Sequence, residues 1–445
     1  MHLDDDRVEF AHAIEAFCQR EYGTPAQWNE LTENDTVATN QVILDKMADL
    51  GWLGVSLPEE YGGGGAGFVD ECVFIEEAHR GLTPGILAYT TGLTAAQTYL
   101  KWGSDEQKKT IVSNLVAGRT EAIALSEPGT GSDLGAVRTK GVRDGDAYVI
   151  DGQKTWISVA HIAEHMLVLV REDASGPKHD GLTLLMVPTD TPGIEMREVR
   201  TMEARTCNDV FFSQARVPAS SVVGEAGQGW KQLMRGLSVE RMIIAAFSIG
   251  AARRSVEDAI AYMQQRDAFG QSISGFQALR HRVADLATDI AVTRSFVYDV
   301  AQAIDEGRED TLNRESAMAK MRATEVAKNA ALEAMQLMGV QATPASTAWS
   351  SRSVGPWRRR SSAGRTRSSA RSSPSRSSDR RRTHECRRTS EVRRHCRILQ
   401  FRVRTKDVDS GSMSRTHRRG GPHADHRPVH LASRRHVYRY SHLGR

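Results

Sequence analysis

The sequence predicts an α+β chain: an N-terminal helical domain, a central antiparallel β-domain, a C-terminal helical bundle and a disordered basic tail. Three observations carry this. The hydrophobic period is helical up to about Leu115, becomes two from Glu121, and returns to helical at Gln228. The charge then inverts after Gly339. The expected divisions are 1–118, 119–223, 224–339 (a truncated bundle) and 340–445.

In the first segment, apolar residues recur at spacings of three and four in EFAHAIEAFC and NQVILDKMADLGWLGV. Gly51, Gly62 to Gly65 and Leu57-Pro58 punctuate the pattern as turns. Further helices are expected over 69–80 and 104–116, and Ser104 followed by Gln107 has the form of a capping box. The second segment contains AYVIDGQKTWIS, HMLVLVRED and GLTLLMVPTD, which read as strands separated by Gly, Asp and Pro. Asp151-Gly152 is expected to be a hairpin turn. The third contains long proline-free stretches over 228–266, 274–306 and 312–338, the signature of a bundle with long helices.

The tail has no such period. Beyond Gly339 it carries 26 Arg and one Lys against six Asp and Glu, about +21, which leaves about −17 on the first 339 residues of a chain whose net charge is +4. An Arg/Ser-rich segment of this kind cannot bury enough apolar surface to order itself. It also lacks the aromatic platform of a nucleic-acid-binding surface, so no nucleic-acid partner is expected. Hydrophobic residues are 40% and charged residues 26%, as in ordinary globular proteins. No run of about 18 apolar residues predicts a membrane span. Cys18, Cys72, Cys207, Cys386 and Cys396 show no metal or disulfide spacing, which points to reduced thiols, a cytoplasmic location and no metal site.

Two β-segments and one bundle segment carry chemistry. In ALSEPGTGSD, residues 124–133, a strand runs into a Glu-Pro turn and a glycine-rich loop. Its backbone can approach a flat ligand closely, although a plain turn has the same look. In DGQKTWIS, residues 151–158, Trp156 and Ser158 share one strand face by period two, an aromatic beside a hydroxyl. The bundle contributes Arg266-Asp267-Ala268-Phe269-Gly270, then Ile273 and Phe276-Gln277.

Taken together, Ser-Glu-Pro-Gly-x-Gly-Ser-Asp, Gly-x-Lys-x-Trp-Ile-Ser about 20 residues later, and Arg-x-x-Phe-Gly resemble the signatures of the acyl-CoA dehydrogenase family over nearly all of residues 1–339. The resemblance implies an acyl-CoA dehydrogenase-like fold, FAD as cofactor, an acyl-CoA substrate of fatty-acid β-oxidation type, electron-transferring flavoprotein as acceptor, and a homo-oligomer, dimer or tetramer. It implies that Leu125, Ser126, Trp156 and Ser158 contact the flavin, and that Ser132 lines the acyl-CoA channel. Arg266, Phe269, Gln277 and Gln336 would hold the ADP half of a neighbouring subunit's FAD.

The chemistry also needs a base for a weakly acidic α-proton, beside a polarised thioester carbonyl. The family places its glutamate either late in the chain or, in long-chain and isovaleryl members, on a bundle helix just before an arginine. LSVERMIIAA matches the second arrangement, with Glu240 as base and Arg241 beside the substrate. An apolar run follows the pair, which suits a half-buried carboxylate.

Relatives continue differently after Gly339. In a shifted frame, codon degeneracy permits residues 343–350 to read Tyr-Ala-Ser-Glu-Tyr-Gly-Val-Glu and 361–373 to read Ile-Phe-Gly-Gly-Thr-Asn-Glu-Ile-Gln-Arg-Glu-Ile-Ile without fixing every position, and the second resembles the family's closing motif at its expected distance. The shifted codon that ends in the first two bases of Ala363 must end in GC, as no glutamate codon does, which again favours Glu240. Two other functional readings stand beside the dehydrogenase: a damaged, inactive product of the same family, and an acyl-CoA oxidase.

Overall fold

The structure is a computed structural model that describes residues 3–201 and 204–342. It opens with helices α1 (Asp5–Tyr22), α2 (Pro25–Leu31), α3 (Gln41–Asp49), α4 (Phe68–Arg80), α5 (Ile86–Trp102) and α6 (Asp105–Val116). Helix starts follow local capping chemistry. Asp4 accepts from the Arg7 amide, and Ser104 and Gln107 form the reciprocal box expected for α6.

Strands β1 (Thr120–Ala124), β2 (Lys140–Asp144), β3 (Ala147–Ser158), β4 (Ala163–Arg171), β5 (Leu182–Pro188), β6 (Ile194–Val199) and β7 (Cys207–Pro218) form one sheet. Pairing is antiparallel for β2–β3, β3–β7, β6–β7 and β4–β5, and β1 joins β4 in parallel. Tyr148, Ile150, Val168, Leu185 and Val210 belong to a core the sheet holds by itself. Asp151-Gly152 is not a hairpin turn. The chain reverses at Gly145, φ 65°, between β2 and β3, and β3 runs straight through Asp151-Gly152. Gly152, φ 148°, sits where the β3–β7 register shifts. A Cβ there would lie 2.8 Å from the Thr139 backbone, so the glycine serves a bulge and a close strand approach.

The bundle consists of α7 (Gly229–Gln265), a short hairpin β8 (Asp267–Ala268) and β9 (Gln271–Ser272), α8 (Gln277–Asp305) and α9 (Asn313–Met338). A second core joins the first six helices, the bundle and the inner residues Leu167, Leu169 and Leu184 of the sheet. The α4–α7 contact is close because of Gly250, where a Cβ would stand 2.2 Å from the Glu76 carbonyl. Glu76 itself is fully buried on α4. It accepts from Tyr298 on α8 at 2.8 Å and Arg294 at 2.8 Å, and it pairs with Arg253 on α7. A buried carboxylate tolerates that place only because charged donors surround it. Cys18, Cys72 and Cys207 are free thiols, and among the described residues no helix is long and apolar enough to cross a membrane. The expected disorder beyond about residue 340 falls outside the described residues.

Candidate active site

The sheet, helix α5 and the bundle line a cavity of about 250 Å³ where α5, α7 and α9 face the ends of β1 and β3. Of the residues singled out in the sequence, Leu125, Ser126, Trp156, Ser158 and Glu240 all line it. They come from three distant parts of the chain and converge only through packing.

The strand side is shaped by backbone irregularity. Trp156 has φ 60° and Val159 φ 54°, left-handed values that non-glycine residues seldom adopt. The β3–β7 register shifts between Lys154 and Ile157, so strict alternation fails there and Ile157 lines the cavity together with Trp156 and Ser158. Trp156 keeps 55% of its surface exposed. Among the described residues neither the Ser126 nor the Ser158 hydroxyl has a protein partner. An open indole beside two free hydroxyl donors fits a flat aromatic ring with acceptor atoms at its edge.

Lys154 holds this wall from beneath, and sequence reasoning did not single it out. It is fully buried, and its Nζ donates to the Leu125 carbonyl and to Glu127 Oε1, each at 3.0 Å. Glu127 also accepts the Arg138 and Thr139 amides, both at 2.8 Å. Burial pushes the Lys154 pKa down to about 8, and Glu127 opposes that shift. Burial also pushes the Glu127 carboxyl up, but Lys154 and the two amides outweigh it and hold the group below its ordinary range. The signal was present: Lys154 falls in register with the inward Tyr148 and Ile150.

The helical side carries Glu240, half-buried on α7 one turn before Ile243 and Ile244. It is the one charged residue among the described residues that line the cavity. Arg241 does not line it. Its Nη1 donates to the Asn313 carbonyl at 3.3 Å, at the start of α9. Burial lowers the Arg241 pKa while Glu240 holds it up, and Lys320 on α9 behaves in the same way. Two half-dehydrated cations therefore flank the carboxylate.

The remaining residues lie elsewhere. Ser132 is exposed in the loop after β1. Arg266, Phe269, Gln277 and Gln336 are exposed near the far end of α7, where Met263, Ile273, Leu279, Ala334 and Leu337 pack together. Arg266 follows Glu240 by 26 residues, about 39 Å along a straight helix. Phe269 is 96% exposed at φ 55°, followed by Gly270 at φ 81°. A two-residue turn with both residues left-handed normally carries Asn or Gly, so an aromatic is costly there.

The chain matches three family profiles in order: acyl-CoA dehydrogenase N-terminal domain over 4–119, middle domain over 122–215 and C-terminal domain over 227–359. A probable acyl-CoA dehydrogenase of Bacillus subtilis is 35% identical over 302 residues, covering 66% of this chain and 78% of the relative. A subunit of a caffeyl-CoA reductase–Etf complex from Acetobacterium woodii is 31% identical over 305 residues, covering 67% and 79%. The crystal structure of an acyl-CoA dehydrogenase from Geobacillus kaustophilus superposes with a TM-score of 0.76 at 31% identity, over 83% of this chain and 97% of that one. The fold, the motifs and these matches define an oxidoreductase acting on CH–CH bonds. The chain belongs to the acyl-CoA dehydrogenase family, whose members are flavoproteins.

Proposed function

We propose that this protein is an FAD-dependent acyl-CoA dehydrogenase in which Glu240 removes the α-proton of an acyl-CoA thioester. The observation that carries the reading is the convergence of one carboxylate, two free hydroxyls and an open indole on a single cavity. FAD, when bound, supplies the acceptor for the β-hydride. Ser126 and Ser158 would donate to its polar edge, Trp156 would pack on its ring, and Leu125 would give an apolar contact. Lys154 fixes the strand ends that carry all four. Glu240 lines the same space from α7, where its carboxylate would reach the α-carbon of a bound thioester. Arg241 and Lys320 flank that carboxylate, and Ile243 and Ile244 exclude water from it. Proton and hydride leave adjacent carbons, giving a 2,3-enoyl thioester.

The exposed Arg266, Phe269, Gln277 and Gln336 serve a second copy of the chain: they hold the ADP half of its FAD, which makes the enzyme a homo-oligomer. Ser132 and Arg241 guide the thioester chain outside the cavity. Electrons pass to an electron-transferring flavoprotein, as the name of the reductase–Etf relative suggests for that protein. The free thiols fit a cytoplasmic setting. A frameshift near codon 339 accounts for the basic C-terminal sequence.

Glu240→Gln tests the base directly. The amide keeps shape but takes no proton, so flavin content should persist while anaerobic bleaching by an acyl-CoA slows by about 10²–10⁴-fold. Normal bleaching in this variant removes Glu240 from the mechanism.

A further inference from the structure

The hydroxyls around the cavity fall into two sets. Among the described residues, those of Ser126 and Ser158, on the strand side, have no protein partner. Those on the helical side are all engaged with their own helices. Thr90 Oγ1 donates to the Ile86 carbonyl at 2.9 Å, Thr91 to Leu87 at 2.8 Å and Thr94 to Thr90 at 2.8 Å, all on α5. On α7, Ser248 donates to Ile244 at 2.7 Å, and on α9, Thr324 donates to Lys320 at 2.9 Å. Serine and threonine within helices commonly bond the carbonyl one turn back. Each hydroxyl has one proton, so a hydroxyl engaged in this way offers a guest only lone pairs and, for threonine, a methyl group.

We propose that this helical wall selects acyl-CoA substrates with an uncharged acyl group and rejects those whose acyl chain ends in a carboxylate. The inference rests on the acyl-thioester reading above and adds the substrate class. A carboxylate entering between α5 and α7 would meet Leu87, Ile243, Ile244 and Phe247, and hydroxyls whose protons already point into their helices. Main-chain amides inside α5 and α7 are bonded along the helix as well. The charged group on that wall is Glu240, an anion, and the described lining includes no cation. A buried carboxylate without a donor loses its hydration with no compensation, and a second anion nearby raises that cost. An aliphatic or branched terminus meets methyl groups and methylenes. A terminal hydroxyl would also be accepted, because it can donate to a threonine or serine lone pair.

Pentanoyl-CoA and glutaryl-CoA have five-carbon acyl chains that differ at the terminus, methyl against carboxylate. Titrated into the flavin-loaded protein by calorimetry, glutaryl-CoA should bind about 30-fold or more weakly. Thr91→Arg on α5 and Ser248→Arg on α7 each place a cation on the wall and should narrow that ratio by about tenfold or more. Affinities equal within a few-fold overturn the proposal, as does failure of the protein to bind either thioester. Bleaching of the flavin by pentanoyl-CoA reports separately on the dehydrogenase reading. Selective binding without bleaching would sink the chemistry and keep the wall, whereas bleaching by both at similar rates would do the reverse.

Discussion

Lys154 and Glu127 form a buried pair that makes no contact with the cavity and yet sets its strand wall. Lys154 bonds the carbonyl of Leu125, and the Thr155 amide bonds the carbonyl of Ser126 at 2.9 Å, so β3 fixes the segment facing it at two successive residues. Removing one member of a buried pair leaves the other without compensation, whereas replacing both by apolar groups is often nearly neutral. Lys154→Met should therefore cost about 3–5 kcal/mol in urea unfolding and reduce flavin retention. Adding Glu127→Gln to that variant, which removes the uncompensated charge and keeps an acceptor for the Arg138 and Thr139 amides, should recover most of the stability. If the double variant is no more stable than the single one, the pair does not hold the wall. Lys154 illustrates how a residue escapes sequence reading. Its inward register is visible by period two, but its partner 27 positions away is fixed only by the loop that brings Glu127 beneath β3.

Helix α7 links the two groups of family residues and keeps them apart. Its first half presents Glu240, Ile243 and Phe247 to the cavity, and its last turn leads into the β8–β9 hairpin. The hairpin is closed by the Ile273 amide on the Arg266 carbonyl at 2.8 Å, and Phe269 meets Phe276 edge-to-face at 6.2 Å. A strained aromatic held in the open by ordered backbone is expected where a partner surface covers it. If the proposed role holds, Arg266→Ala should lower the flavin-to-protein absorbance ratio and shift the assembly toward smaller species in sizing with light scattering, because it would remove a charge from a pyrophosphate at a subunit contact. Full flavin content and unchanged size would show that the hairpin serves no neighbouring FAD. The positions of these elements were legible, since α8 and α9 begin within three residues of the expected starts. The failure at Asp151-Gly152 has a physical cause. Glycine at positive φ serves a bulge as readily as a turn, and only the continuing β3–β7 ladder distinguishes them.

At the scale of the molecule, the acidic, periodic part of the chain builds a packed body in which one hydrophobic core spans the first six helices, part of the sheet and the bundle. The net charge and the hydrophobic period both change after Gly339. A coding frame restored near codon 339 is therefore expected to improve the protein. Expressed side by side, the corrected chain should retain more flavin, aggregate less and bleach faster with an acyl-CoA than the 445-residue chain. Equal flavin content and equal activity in the two would remove the frameshift account.

The sequence by itself determined the order of helical, β and helical segments, because period 3.6 and period 2 are properties of local backbone geometry. It also marked Ser126, Trp156, Ser158 and Glu240, because they sit in short contiguous signatures, and these residues line one cavity. Tertiary structure decided the rest. That β1 pairs in parallel with β4, that Gly250 lets α7 lie against α4, and that Lys154 reaches Glu127 depend on contacts between residues far apart in the chain. The hydroxyls show the same division most sharply. Ser126, Ser158, Thr91 and Ser248 carry the same functional group. A helix offers Thr91 and Ser248 a carbonyl one turn back, while the strand ends leave Ser126 and Ser158 free, and packing alone brings both kinds to one cavity.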